Sequence, residues 1–352
     1  MACTYVGPRC DSPGWGAAFI MSAPPKKGGG AELLANLTAG TLTGMTTSSL
    51  SHPMDTLKSR WQVARSVAKG QGIFGFARSL LVQEGLWVGL WRPGLVPNVT
   101  SMGCCVGLRN GLYPRVRDGI GHLEDALAGR PRNAANKAGP VAMFMAGILS
   151  GMTGYVIAAP LLQVKTQMQA EAGHIGPDGL YATGLRRGHP PTYQNTLQAL
   201  TVLASASCPS EKVQSLWRGA GLIVARGAAL SGSQLMTYDA SKKALKGRKL
   251  MHDGPLLHVT SSLVAAVVCT TCHMPFDVLL TVYQSAYSLG GDRLRYVRSG
   301  PSACAMALLQ ESGPTVFFRG WAPAFVRLAP VCVFSFWLYE QLRRVVGIGY
   351  LD

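Results

Sequence analysis

Three stretches decide the fold: Pro53-Met54-Asp55-Thr56-Leu57-Lys58, Pro160-Leu161-Leu162-Gln163-Val164-Lys165 and Pro275-Phe276-Asp277-Val278-Leu279-Leu280. Nine positions after each proline stands a glutamine, Gln62, Gln169 or Gln284. Thirteen and nine positions before it are small residues: Gly40 and Gly44, Gly147 and Gly151, then Ser262 and Ala266. Small residues four apart give a helix a flat face on which a second backbone can lie. One such proline with nearby charges would be an ordinary helix end. Three in a single register make an internal repeat.

A second set of signals keeps the same phase. Trp91-Arg92-Pro93-Gly94, Trp217-Arg218-Gly219 and Phe318-Arg319-Gly320 each open a new apolar run, and nineteen residues after each glycine comes a tyrosine: Tyr113, Tyr238 and Tyr339. Nineteen helical steps cover about 28 Å, close to the thickness of a bilayer core. The chain therefore reads as three copies of a two-helix unit.

Composition agrees. Of the 352 residues 48% are hydrophobic and 14% charged, where a soluble domain carries about 25% charged residues. That excludes intrinsic disorder. The mean hydropathy of +0.18 is too low for uniformly apolar spans, and the 42 glycines suit close helix packing. Lys and Arg outnumber Asp and Glu by 33 to 17, a net charge of +16. Such an excess fits anionic lipid or a small anionic solute. Nucleic acid fits poorly, because the basic residues sit at the ends of apolar runs rather than in one block.

The nine cysteines form no disulfide framework. Cys104, Cys105, Cys269, Cys272 and Cys332 lie inside apolar runs, where a thiol behaves as a small hydrophobe. The pair in Cys269-Thr-Thr-Cys272 lacks the second pair of a zinc site and the βαβ setting of a redox motif. Asn36-Leu37-Thr38 and Asn98-Val99-Thr100 match the glycosylation pattern by chance, since both fall in apolar helical stretches. No metal-spaced histidine cluster and no nucleophile motif is present, so neither a metal, a cofactor nor an enzymatic reaction is expected.

These repeated residues resemble the mitochondrial carrier family. The family's marks are P-x-[DE]-x-x-[KR] at the end of each odd helix, an aromatic-basic-glycine before each even helix, and [YF]-[DE]-x-x-[KR] at its end. The resemblance covers residues 32 to 346. It implies an all-α membrane protein: six transmembrane helices in three pseudo-threefold two-helix repeats, short matrix helices between them, and alternating access to one central site in the mitochondrial inner membrane. The expected divisions are a tail over 1–31, repeats over 32–130, 131–250 and 251–346, and a C-terminal tail over 347–352. Gly94-Leu95-Val96-Pro97 and Gly107-Leu108-Arg109-Asn110-Gly111-Leu112-Tyr113 look similar to the oxaloacetate-carrier branch. So do Pro160 to Thr166, and Pro275 to Val278 with Thr281 and Tyr283.

The prolines bend the odd helices so that their ends can meet as a floor. By the family's pairing, Asp55 meets Lys165 and Asp277 meets Lys58, braced by Gln62, Gln169 and Gln284. The third pair would join Leu162 to Leu280. Both charged partners are missing together, which avoids a lone charge at a poorly solvated contact. At the opposite, cytoplasmic end the resemblance assigns a second gate to Tyr113, Arg117, Tyr238, Asp239, Lys242, Tyr339, Glu340 and Arg343. There Asp239 would meet Arg343 and Glu340 would meet Arg117. Proline replaces the acid at position 114, leaving Lys242 unpartnered. Exposed pairs of this kind are worth about 0–1 kcal/mol each, which suits a gate that opens.

Seven residues into each even helix stand Ser101, Arg226 and Arg327. An arginine at that depth is expensive and marks a functional site. Guanidinium binds carboxylate or sulfate in a bidentate manner that lysine lacks. Two arginines, a hydroxyl and the room left by Gly227 favour a small dianion. Arg109 either lines the upper cavity or anchors a helix end. The expected partners are a small anionic substrate and cardiolipin-type anionic lipid around a monomer, with no nucleic acid. A degenerate carrier serving as a membrane adaptor is the alternative, motivated by the lost gate charges. The long loop over 176–191 joins an odd helix to a matrix helix and is expected to hang in the matrix.

Overall fold

In the computed structural model the residues described are 29–64, 72–127, 129, 140–205, 215–247, 255–289, 300–328 and 342; several side chains within the helices, most of them in α6, fall outside the description. The apolar runs form α1 (Gly29–Val63), α3 (Leu95–Leu127), α4 (Pro140–Ala170), α6 (Ala220–Gly247) and α7 (Pro255–Leu289). Shorter helices α2 (Ile73–Leu86), α5 (Thr196–Ala204) and α8 (Gly300–Ser312) lie between them, and residues 321–328 begin another helix. Asn195 caps α5 by accepting a hydrogen bond from the Gln198 amide at 2.8 Å. Pro53, Pro160 and Pro275 sit inside α1, α4 and α7, where each removes one rung of the helix ladder.

Length and hydropathy together mark two segments able to cross a membrane, Phe144–Ala170 and Leu263–Ala286. The other long helices are diluted by polar residues that face inward. Helix α1 alone buries Asn36, Thr43, Thr47, Ser48 and His52. A hydropathy average cannot tell such a residue from one facing lipid.

Sequential helices pack side by side: α1 on α3, α3 on α4, and α6 on α7, while α1, α4 and α7 also touch one another. Close approach at α1–α3 depends on glycine. A Cβ on Gly44 would lie 2.5 Å from the Met102 carbonyl oxygen, and one on Gly40 2.9 Å from that of Val106. The same small-residue face is not used in the second repeat. A Cβ on Gly147 would meet nothing within 4 Å, and one on Gly151 only Arg109 at 3.9 Å. Helix α4 instead presses Gly154 against α3, where a Cβ would stand 2.7 Å from the Cys105 carbonyl oxygen.

The glycines after the aromatic-basic pairs close the ring. Gly94, Gly219 and Gly320 have φ of 68°, 79° and 91°, the left-handed region that glycine occupies without penalty. Gly94 packs on Lys165 and Gln169 of α4, Gly219 on Leu280 and Gln284 of α7, and Gly320 on Lys58 and Gln62 of α1. Each contact falls at the fifth and ninth positions after a proline. Repeat one thus docks on two, two on three, and three on one.

The loop after α4 is packed against the helices. Tyr181 and Tyr193 are buried, and Leu185 packs against the cluster of Leu57, Phe76 and Leu80 from the first repeat. The Thr183 hydroxyl donates to Glu84 Oε1 at 2.6 Å, and Glu84 also accepts from Arg60 at 2.9 Å. Arg186 lies 3.6 Å from Glu171 and donates to the Ser288 carbonyl at the end of α7. Burial pushes the Glu171 carboxyl above its ordinary pKa. The loop is a strap touching all three repeats, because its tyrosines and leucine give it apolar surface to bury.

Of the cysteines described, Cys269 is buried and Cys272 exposed, so the C-x-x-C pair faces two ways on α7. Asn36 and Asn98 are both buried, which leaves no room for a glycan.

Gly94→Ala should destabilise the protein by about 1–3 kcal/mol, through its positive φ and its contact on Lys165. Gly221→Ala, in open space on α6, should not. Melting temperatures of the two purified variants distinguish them.

Candidate functional site

The three proline-containing helices α1, α4 and α7 meet at a floor. Lys58 Nζ lies 2.5 Å from Asp277 Oδ2, joining α1 to α7. Lys165 Nζ lies 3.2 Å from Asp55 Oδ2, joining α4 to α1. The acids are 2% and 8% exposed for Asp277 and Asp55, so each needs its cation close by. The side that would join α4 to α7 is apolar. Leu162 and Leu280 share a buried cluster with Cys105, Ala158, Ala159 and Ile223.

The glutamines brace this floor, all three fully buried. Gln62 donates to Asp277 Oδ2 at 3.0 Å and to the Arg319 carbonyl at 3.3 Å. Gln169 donates to Thr56 at 3.0 Å and accepts from Ser59 at 2.9 Å. Gln284 donates to the Arg218 carbonyl at 3.1 Å. Two of these carbonyls belong to the aromatic-basic-glycine turns, so the braces and the ring closure are one network.

Just above the floor lie the two arginines. Arg226 Nη1 is 3.1 Å from Asp277 Oδ1, and Arg327 Nε is 3.0 Å from Asp55 Oδ1. Their side chains are 24% and 20% exposed, against 3% and 11% for the acids they touch. The arginine side chains are therefore the more exposed members of each pair, although Arg327 Nε itself is buried. Arg226 also lies over the Tyr155 ring, 5.9 Å from its centre, a cation–π contact that holds the side chain across the interior. Gly227 leaves space: a Cβ there would come no nearer than 3.8 Å to Tyr155.

Ser101 does not join the arginines. It is fully buried, and its hydroxyl donates to the Asn98 carbonyl one turn earlier at 2.9 Å. Arg109 is exposed and reaches Asn110 Oδ1 at 3.5 Å. At the opposite end Arg117 pairs with its neighbour Asp118 at 3.2 Å and stands 6.0 Å from the centre of the Tyr113 ring. The expected partner Glu340 lies outside the described residues, as do Tyr339 and Arg343. Tyr238, Asp239 and Lys242 lie on α6, but their side chains are outside the description.

Sequence reasoning missed three groups near the floor. Tyr155 supports Arg226. His52, fully buried one residue before Pro53, accepts the Asn98 amide at 2.8 Å through Nδ1 and meets the Pro93 carbonyl at 3.0 Å through Nε2. That bond pattern places its proton on Nε2. His273 bonds the Cys269 carbonyl at 2.7 Å, two residues before Pro275. A polar residue buried beside each of these hinge prolines was the available signal, and it has no counterpart before Pro160.

The family model for mitochondrial carrier protein matches residues 30–122, 136–249 and 252–349, one match per repeat. Among curated relatives, the mitochondrial brown fat uncoupling protein 1 of Dicrostonyx groenlandicus is 30% identical over 300 residues, 84% of this chain and 86% of the relative. That of Rattus norvegicus is 30% identical over the same length and shares. The Ovis aries protein of that name is 29% identical over 309 residues, again 84% and 86% of the two chains.

The apolar side of the floor makes a quantitative test. Leu162→Asp or Leu280→Lys alone should place a lone charge in the cluster and destabilise on the order of 3–5 kcal/mol. The double variant should recover part of that loss. A double-mutant cycle on melting temperature reads the coupling, and purely additive effects would show that positions 162 and 280 are not neighbours.

Proposed function

The chain belongs to the mitochondrial carrier family, and from that premise we propose that it carries small anions, among them oxaloacetate, other dicarboxylates or keto acids and sulfate, by alternating access. Members of the family are multi-pass solute transporters of the mitochondrial inner membrane rather than enzymes. The long helices α1, α3, α4, α6 and α7, with the helix that begins at 321, serve as the six spans in this reading.

The observation that carries it is the pair of partly exposed arginine side chains, Arg226 and Arg327, each set against a buried floor acid. Arginine at that depth costs several kcal/mol unless it meets an anion. Two such groups within reach of water give a dianion two bidentate partners. Among the described residues Tyr155 is the ring set against Arg226, which suits a compact solute better than a nucleotide. The oxaloacetate branch is favoured by the Gly94–Pro97 and Gly107–Tyr113 motifs.

Transport then needs differential affinity alone. The solute binds the state in which both arginines can face it, and its release on the far side follows the opening of the floor. Lys58, Lys165, Asp55 and Asp277 form the matrix gate, and the tyrosine-acid-base motifs the cytoplasmic one. The net charge of +16 suits an anionic lipid of the cardiolipin type at the membrane surface. One chain contains the whole route, so a monomer suffices.

Proteoliposome uptake across a panel of dicarboxylates, keto acids, sulfate and nucleotides tests this reading. Arg226→Ala and Arg327→Ala should each lower uptake by about 100-fold or more, with membrane insertion intact. Lysine at either position should restore little, since the fork geometry is lost. Wild-type rates in either alanine variant would remove the site assignment.

A further inference from the structure

The two gate acids divide their oxygens in the same way. Asp277 gives Oδ2 to Lys58 at 2.5 Å and Oδ1 to Arg226 at 3.1 Å. Asp55 gives Oδ2 to Lys165 at 3.2 Å and Oδ1 to Arg327 at 3.0 Å. The groups come from the three repeats in a fixed order. The arginine belongs to one repeat, the acid to the next and the lysine to the one after: Arg327, Asp55 and Lys165, then Arg226, Asp277 and Lys58.

Carried once more round the ring, this order gives Ser101, Leu162 and Leu280. All three charges are gone. The two leucines lie in the apolar cluster with Cys105 and Ile223, and Ser101 is turned onto its own helix. The loss is thus a complete triad, comprising a floor acid, its lysine and its arginine. A floor pair lost alone would have left a guanidinium at position 101 without an internal counter-ion.

We infer that the site reads the valency of its solute, and that it is built for two negative charges. The inference rests on the small-anion reading above. In the empty carrier Asp277 and Asp55 occupy the two guanidinium groups. A solute with two anionic groups replaces both carboxylates. Each acid then keeps only its lysine, and both cross-links between an even helix and the floor are released together. A monoanion of the same size replaces one carboxylate and leaves the other Arg–Asp pair closed. The third sector, with Ser101, Leu162 and Leu280, supplies no cation for a further charge. Asp55 and Asp277 are on this account specificity-determining residues as well as gate residues, because they are what the solute must displace.

The test compares matched solutes on the purified full-length protein, by thermal shift and by proteoliposome uptake at pH 7. Succinate is set against its monoamide succinamate, malonate against malonamate, and the trianion tricarballylate is included. The diacid of each pair should enter at least about tenfold faster than its monoamide, and tricarballylate should enter no faster than succinate. Asp277→Asn combined with Lys58→Gln removes one internal competitor without stranding a lysine, and should reduce the succinate preference at least tenfold. If no diacid, monoamide or sulfate either shifts the melting temperature or enters the vesicles, the small-anion reading itself fails. If diacid and monoamide bind and enter wild-type protein at equal rates, the valency rule is overturned while the carrier reading stands. The wild-type comparison decides this even if the double variant does not fold. A folded double variant that keeps the full succinate preference would also overturn the rule, by showing that Asp277 is not the displaced group.

Discussion

Asp55 and Asp277 have almost no contact with water, and each belongs to a proline-containing helix of the floor. A carboxylate so placed must be neutralised from within the protein, and the rest of the interior follows from that need. The lysines come from other odd helices, so satisfying the acids draws α1, α4 and α7 together. The arginines come from even helices, so the same oxygen pairs also fix how the outer helices lean on the inner ones. Gln62 adds a neutral donor to the oxygen of Asp277 that Lys58 already holds. Where the acid is absent, at position 162, the lysine and arginine are absent too and the contact is apolar. Charge neutralisation and helix placement are one requirement here.

Ring closure is a separate matter, and backbone rather than charge governs it. The aromatic-basic-glycine turns pass so close to the neighbouring odd helix that a side chain at Gly94 would press on a carbonyl oxygen. Gly94 is needed twice over, for the left-handed φ and for the close approach, whereas at Gly320 a Cβ would come no nearer than 3.4 Å and the φ alone demands glycine. Because the contact falls at the same two positions in all three repeats, the thirds of the chain assemble with a common geometry.

The repeat and the positions of the arginines along their helices were legible in the sequence, because they depend on spacing within one helix or on register between copies, while the floor pairs came from the family resemblance. Pro53 to Lys58 and Pro160 to Lys165 are each a fixed distance along a helix. What the sequence did not reveal depends on distances between helices. That Arg327 reaches Asp55 follows only once the third repeat is seated against the first. Ser101 has the right depth but the wrong direction, since a serine in a helix can turn its hydroxyl onto the preceding turn. Gly147 and Gly151 keep the small-residue register without the close neighbour, because α4 leans on α3 through Gly154 instead. Among the described residues hydropathy marks two spans of the six expected, and in α1 buried polar residues such as Asn36, Thr43 and His52 lower the average.

The strap makes the three repeats mechanically unequal. Thr183 is held by Glu84 on α2, and Arg186 by the last carbonyls of α7. Only three residues separate these anchors, and three residues fully extended reach about 11 Å. The first and third repeats are thus on a short leash, and the leash is rooted in the second, because the loop continues α4. With both anchors intact, the edge between the first and third repeats can widen by no more than the slack of those few residues, and any further parting has to wait until one anchor lets go.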